Sequence, residues 1–226
     1  LEERVLARGE EGWRFCLPSV DSREEKIAVA LVRELPKEER HRQGVEVWKY
    51  WAEKGGAAIR IWEVPLSGKG SPREVYREDG ASCAHVQYCP SDSDLLLIDR
   101  DYPPLFSWGS DGKTNRIWAL RVSSGKLTSL APRCGKPFQV HSTWAHDGSA
   151  VVCHGWLGRS NREGWYFSVL TADGTVVREY EFPGARHYGH VSSAADRPAF
   201  IIDGNLFPDL LAWLYYDGER PRVEII

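Results

Sequence analysis

Residues 140–152 read VHSTWAHDGSAVV, in which His141 precedes a turn at Asp147-Gly148 and a run of small apolar residues. The same arrangement recurs in HVQYCPSDSDLLLI, which begins at His85, and in HVSSAADRPAFII, which begins at His190. Successive histidines are therefore separated by roughly 50 residues, a period typical of β-repeat architectures. The fold prediction starts from this internal repeat.

Short β-rich segments dominate the chain, and helical periodicity is weak. The clearest predicted strands are KIAVALV (26–32), AAIRIWEV (57–64), DLLLID (94–99), NRIWALRV (115–122), SAVVCHGW (149–156), GWYFSVL (164–170), TVVREYEF (175–182) and PAFIID (198–203). Between them lie turn signals, including Ser-Gly-Lys at 124–126 and the pairs Asp147-Gly148, Asp173-Gly174 and Asp217-Gly218. Strands of this length joined by such turns predict an antiparallel, all-β fold.

Each repeat has the same internal order. A histidine-led strand is followed by an apolar strand, a strand rich in Trp, Tyr or Arg, and a closing strand after a glycine turn. Four strands in roughly 50 residues make one blade of a β-propeller. We therefore predict a single partial β-propeller domain over residues 1–226, with about four blades. The sequence contains no methionine, and we expect it to be part of a longer protein that holds the remaining blades.

One segment departs from the strand pattern. Residues 33–55, RELPKEERHRQGVEVWKYWAEKG, are highly charged and place Val45, Trp48 and Trp51 at helical spacing. This pattern predicts a short amphipathic helix or a loop inserted between two strands. The charged composition favours a solvated excursion that caps the propeller, rather than a binding site.

The bulk composition excludes several classes of partner. A net charge of −3 gives no general attraction to nucleic acid or to anionic membranes, so an anionic ligand would need a local cluster of Arg, Lys or metal. No segment is apolar enough to span a bilayer, and the first residues lack the apolar core of a signal peptide. The 5 scattered cysteines form no C-x-x-C pair and predict reduced thiols. We expect a cytoplasmic protein.

The repeat gives its histidines a shared position. The innermost strand of each blade runs along the central channel, so His85, His141 and His190 are predicted to converge at one end of it. Imidazole suits such a cluster because it binds transition metals and accepts a proton near neutral pH. Alternatively, each histidine is a structural residue that ties a strand to a loop. Arg116 and Arg186 lie near the histidines in the pattern and favour a site.

Other polar residues have simpler interpretations. Asp147, Asp173 and Asp217 each precede a glycine and are turn residues. His146 and His154 flank a strand and are interpreted as a loop residue and a surface residue. No phosphate-binding loop, G-x-S-x-G elbow or zinc-finger spacing is present.

Three stretches carry a family resemblance through their order and intervals: NRIWAL (115–120), VHSTWAHDGSAVV and GHVSSAADRPAFIIDG (189–204). Together they resemble the oligogalacturonate lyases, seven-bladed β-propeller enzymes of pectin breakdown. SCAHVQYCPSDSDLLLI (82–98) resembles the preceding blade start, with His85 at the family's Gly-His position. The charged insert resembles the family's Trp- and Lys-rich excursion. The resemblance covers roughly residues 28–226.

The resemblance implies roles for three residues, and two more are expected to line the site. His141 matches the family's Brønsted base, Arg116 its supporting arginine and His190 a manganese ligand, while His85 and Arg186 are expected to contact the substrate. The implied reaction is metal-assisted β-elimination on an acidic oligosaccharide, with a divalent metal, expected to be Mn²⁺, as cofactor. The residue types suit this chemistry because imidazole can take the proton α to the uronate carboxylate. A guanidinium and a divalent cation stabilise the negative charge that develops.

The sequence also departs from the family pattern. Ser142 follows the predicted base where the family has Glu, LIDRDYPPLF (97–106) replaces a Cys-His-Glu-Gly-Pro-like stretch, and the Gln-x-x-His-x-His segment with the other metal ligands is absent from these residues. His187 is either an added ligand, through its H-x-x-H spacing to His190, or a solvated loop residue. Two other functions stay open: a non-catalytic binding propeller, TolB-like or peptidase-associated, and an inactive lyase-like propeller that binds an acidic sugar.

Overall fold

The computed structural model describes residues 5–81, 83–101, 115–131, 138–157, 164–183, 189–203 and 211–226. These residues form sixteen strands, one α-helix and one short 3-10 turn. The first eight strands are β1 Trp13–Val20, β2 Lys26–Arg33, β3 Ala58–Pro65, β4 Arg73–Asp79, β5 Cys83–Cys89, β6 Asp92–Asp101, β7 Ile117–Arg121 and β8 Lys126–Ser129. The other eight are β9 Phe138–Trp144, β10 Val151–Trp156, β11 Gly164–Leu170, β12 Val176–Pro183, β13 Val191–Ser193, β14 Ala199–Asp203, β15 Leu211–Tyr215 and β16 Arg222–Ile225.

The strands form four antiparallel sheets of four strands, each built in chain order: β1-β2-β3-β4, β5-β6-β7-β8, β9-β10-β11-β12 and β13-β14-β15-β16. This is the strand organisation of propeller blades. The predicted all-β fold class is confirmed, and the four sheets match the four predicted blades. Helix α1, Val45–Lys54, lies between β2 and β3, within the predicted insert. That the whole chain is one partial propeller domain stays a prediction.

The chain divides into two compact units. Unit 1 comprises Leu1–Phe106 and Leu120–Lys126, and unit 2 comprises Ser107–Ala119 and Leu127–Ile226. Each has its own apolar core, because the middle strands of the sheets are nearly continuous apolar runs. In unit 1, Leu31 and Trp62 of β2 and β3 are buried together. In unit 2, β11 is buried along its whole length, and its Phe167 ring meets the Phe200 ring edge-on with the centroids 5.6 Å apart. Each such side chain contributes about 1.5–3 kcal/mol on burial.

A buried carboxylate also stabilises unit 1. The Glu63 carboxylate accepts hydrogen bonds from the Tyr88 hydroxyl at 2.7 Å, from Arg73 and from Lys26. Burial alone would raise the pKa of Glu63, but these hydrogen bonds more than offset it and hold the pKa below its usual value. The network joins β2, β3 and β4 of the first sheet to β5.

The charged insert folds as a short helix with one apolar face. Gly44 precedes α1 and Gly55 ends it with φ of 69°, a left-handed conformation that favours glycine. Trp51 is buried with Leu35 and Ala57. The charged residues of the helix, Glu46, Lys49, Glu53 and Lys54, are exposed. In the described part of the chain, no helix has the length and apolarity needed to cross a membrane.

Candidate functional site

Strand β9 carries the predicted base of unit 2. Gln139, Ser142 and Trp144 of this strand are buried, whereas His141 is half-buried. β9 pairs with β10 in a register that shifts between Cys153 and Gly155. The irregularity lies directly beside His141, as β-bulges often do next to functional residues.

A main-chain carbonyl sets the tautomer of His141. Its Nδ1 lies 2.8 Å from the carbonyl oxygen of Gly189. A carbonyl oxygen only accepts hydrogen bonds, so Nδ1 must carry the proton. In the neutral ring, Nε2 is then the nitrogen that can accept a proton. The geometry therefore gives His141 the tautomer that a general base needs.

In His190, the oxygen that faces Nδ1 belongs to a carboxylate instead of a main-chain carbonyl. His190 precedes β13, and its Nδ1 lies 3.2 Å from Oδ2 of Asp203 at the end of β14. The His190 backbone N–H donates to the other carboxylate oxygen. Partial burial would raise the pKa of Asp203, but the two hydrogen bonds from His190 and the nearby imidazoles more than offset it and lower the pKa. Asp203 is thus a carboxylate that orients His190, whose side chain is 77% exposed.

A glycine is required where these two contacts meet. A Cβ on Gly189 would lie 2.6 Å from the carbonyl carbon of Asp203 and closer still to its oxygen. A Cβ atom essentially never lies within 3.0 Å of such neighbouring atoms. The absence of a side chain at Gly189 therefore lets its carbonyl reach His141 while His190 reaches Asp203.

Three of the imidazoles in unit 2 lie together. The ring centroids of His141 and His190 are 4.7 Å apart, and those of His141 and His154 are 5.4 Å apart. His154 in turn meets the Trp165 ring edge-on at 6.0 Å. The interpretation of His154 as a surface residue is wrong, because it is fully buried within β10. The apolar residues around it in VVCHGW were the available sign of burial.

A buried amide connects the predicted arginine to the strand of His141. The Gln139 side chain accepts hydrogen bonds from the backbone N–H groups of Arg116 at 3.0 Å and Ile117 at 3.3 Å, and it donates to the Leu130 carbonyl at 2.6 Å. Arg116 is itself only 3% exposed. A guanidinium stays charged in such a position, so Arg116 adds a fixed positive charge to unit 2.

The two remaining predicted site residues are His85 and Arg186. His85 belongs to unit 1, where it is half-buried on β5 with its Cα opposite that of Asp99. Its convergence with the other histidines stays a prediction. Arg186 and the neighbouring His187 lie outside the described residues.

Whether a divalent metal fits this site depends on the side chains available as ligands. A histidine held by a carboxylate through its other nitrogen is the usual arrangement of a metal-ligating imidazole, and His190 with Asp203 has it. Within the described residues, however, no group of three or more His, Cys, Asp or Glu side chains could hold a metal ion. The described residues therefore supply one imidazole ligand, His190, and the other ligands of a metal site would have to come from outside the described ranges.

Comparison with known proteins identifies the fold. An oligogalacturonate lyase in complex with manganese is 18% identical, with a TM-score of 0.66 over 94% of this chain and 53% of that protein. An oligogalacturonate lyase from Vibrio parahaemolyticus is 16% identical, with a TM-score of 0.71 over 99% of this chain and 57% of that one. TolB from Acinetobacter baumannii is 12% identical, with a TM-score of 0.51 over 94% of this chain and 54% of that protein.

These similarities confirm the predicted β-propeller class, and they relate the chain to the oligogalacturonate lyases at the level of the fold. The chain spans little more than half the length of those lyases. No family model and no curated protein sequence matches it.

Proposed function

We propose that this chain forms part of a propeller lyase that cleaves an acidic oligosaccharide, such as an oligogalacturonate, by β-elimination. The observation that carries the proposal is the pair of imidazoles at 4.7 Å, in which His141 and His190 each direct Nδ1 to an oxygen. One ring then has its second nitrogen disposed for proton abstraction and the other for a metal. A cytoplasmic location belongs to the same proposal.

His141 is the proposed general base. Its Nε2 takes the C5 proton of a galacturonate residue, which lies α to the carboxylate. The electrons of that C–H bond form the C4–C5 double bond, and the bond from C4 to the glycosidic oxygen breaks. The departing oxygen takes a proton from solvent. The products are an unsaturated uronate and a shortened oligosaccharide.

Positive charge must oppose the charge that develops on the uronate carboxylate. Arg116 is proposed to supply a buried guanidinium for this purpose. A divalent cation, when bound, would supply Lewis-acid stabilisation of the same carboxylate. His190 would hold it, with Asp203 fixing the orientation of the imidazole.

The test uses the full-length protein with oligogalacturonate and Mn²⁺, and it follows the ultraviolet absorbance of the unsaturated uronate. We expect product formation that His141→Ala reduces by at least about 10²-fold, as loss of a general base does. His146→Ala is the matched control, since His146 is an exposed turn residue of the same type. EDTA should also abolish the reaction.

Absence of product from short and long uronates would overturn the lyase proposal. Binding of the oligosaccharide without product would then identify a non-catalytic sugar-binding propeller. Equal activity of the His141→Ala variant and the wild type would instead place the base elsewhere.

A further inference from the structure

A small pocket lies in unit 1 beside the charged insert. It has a volume of about 170 Å³ and lies between the ends of β1 and β2 and helix α1. Four of its lining residues are arginines, and one is a glutamate, Glu34. The arginines are Arg14, Arg33, Arg40 and Arg42. We call this feature the arginine pocket.

Two of these arginines are held by acidic partners. Arg40 pairs with Glu34 and also donates through Nε to the Leu35 carbonyl at 3.2 Å. Arg42 pairs with Glu39, whose hydrogen bond raises the pKa of the guanidinium. Arg40 and Arg42 are thus positioned before any ligand arrives, which lowers the entropy lost when they bind one.

The other two arginines are Arg14 and Arg33. Neither Arg14 nor Arg33 forms an ion pair with any carboxylate in the described ranges of the chain. Arg14 is exposed and pairs with Val32, which lines the pocket. The Arg33 guanidinium lies over the Trp13 ring at 5.2 Å, on the opposite face of the sheet, because Trp13 pairs with Arg33. In a chain of net charge −3, the uncompensated positive charge of this pocket is a local feature that an anion would neutralise.

The size and floor of the pocket limit its ligand. Leu35 and Trp51 are buried beneath it, and Val32 and Val47 complete an apolar floor. Ligand pockets for drug-sized molecules measure about 300–1,000 Å³, so this one admits a single sugar ring or one small anion. Guanidinium groups bind carboxylate and phosphate oxygens in a bidentate way.

We propose that the arginine pocket binds a small oxyanion, either the carboxylate of a single acidic sugar residue or a phosphate group. Arg14 contacts the anion. Arg40 and Arg42, which are already held by Glu34 and Glu39, form the other side of the pocket, and the apolar floor supports a sugar ring when one is present. The proposal does not depend on the His141 site, because every residue that carries it belongs to unit 1.

Isothermal titration calorimetry on the full-length protein tests this binding. The probes are galacturonate, inorganic phosphate and neutral galactose, all without metal and in the His141→Ala background, so that turnover cannot contribute. We expect an oxyanion to bind and galactose not to bind. Arg14→Ala should weaken binding about 10-fold, as loss of one charge-assisted hydrogen bond does, and Arg14→Glu should weaken it further. Binding should also weaken with added salt.

The control is Arg23→Ala, which removes an exposed arginine outside the pocket and should leave affinity unchanged. Binding of galacturonate but not phosphate would identify a sugar subsite, and the reverse would identify a phosphate site. No binding of either anion at millimolar concentration overturns the proposal. Equal affinity of Arg14→Glu and the wild type also overturns it. Neither result would bear on the lyase reaction, which is measured separately.

Discussion

Replacing Gly189 by alanine should disrupt the histidine site through one steric contact. The added Cβ would lie 2.6 Å from the Asp203 carbonyl carbon. Ordinary contact requires about 3.5–4.0 Å, and the Asp203 carbonyl oxygen would be closer still, so the two segments must separate by more than about 1 Å. The Gly189 carbonyl is only 2.8 Å from Nδ1 of His141, and a shift of that size carries it beyond hydrogen-bonding distance.

Both stability and tautomer should change. Forced overpacking costs about 1–3 kcal/mol, which for a chain of this size corresponds to a fall in Tm of roughly 2–12 °C. Loss of the carbonyl acceptor also removes the constraint that keeps the proton on Nδ1. Differential scanning calorimetry measures the first effect, and ¹⁵N chemical shifts of the His141 ring measure the second.

Gly218→Ala provides the matched control. A Cβ at Gly218 would meet no atom nearer than 3.4 Å, in Arg220, so this variant should melt with the wild type. If Gly189→Ala also kept the wild-type Tm and the wild-type His141 shifts, the inferred steric role of Gly189 would be refuted.

Three further predictions concern polar side chains that accept several hydrogen bonds. Gln139→Leu removes the acceptor for two backbone N–H groups, and urea unfolding should show a loss of about 2–3 kcal/mol; a change below about 0.5 kcal/mol would contradict this. Glu63→Gln should destabilise the protein by about 1–3 kcal/mol at pH 7. The folded-state pKa of Glu63 is lowered, so the stability that its carboxylate contributes is present above the unfolded-state pKa and is lost as the pH falls through the folded-state pKa. The difference in unfolding free energy between wild type and variant should therefore shrink in urea titrations at pH 3. A difference that stays constant with pH would argue against this assignment. Asp203→Asn should weaken Mn²⁺ binding to the full-length protein about 10–100-fold by calorimetry; unchanged affinity would exclude its orienting role for His190.

The sequence predicts the interior strands of each sheet better than the outer ones. KIAVALV and GWYFSVL correspond to β2 and β11, which are mostly or wholly buried and therefore read as apolar runs. The outer strand β4, REVYRED, has few buried residues. Its pairing with β3 comes from backbone hydrogen bonds and neighbouring side chains, which leave little trace in its own composition.

From the sequence, only the site residues that recur at the same position of each repeat could be predicted. The shared phase of His141 and His190 correctly indicated that their rings would meet. Asp203 was not predicted, because its contact with His190 depends on the register of β13 and β14, and register between strands is not visible in one sequence. His154 was misassigned because β10 is an interior strand buried on both faces, so even a polar side chain within it is buried.

The pairing of β2 with β3 shows how such a chain can acquire new functions. Seven consecutive residue pairs, from Lys26–Pro65 to Val32–Ile59, stay in register although residues 34–57 intervene. Closing a connection of that length costs only about 2 kcal/mol more than closing a two-residue turn, since the entropy grows with the logarithm of loop length. A blade of this kind can therefore lengthen a connection and gain a helix and a pocket at small thermodynamic cost. Natural variation in this family of folds would then be concentrated in its hairpin connections, while the strands they join keep their pairing.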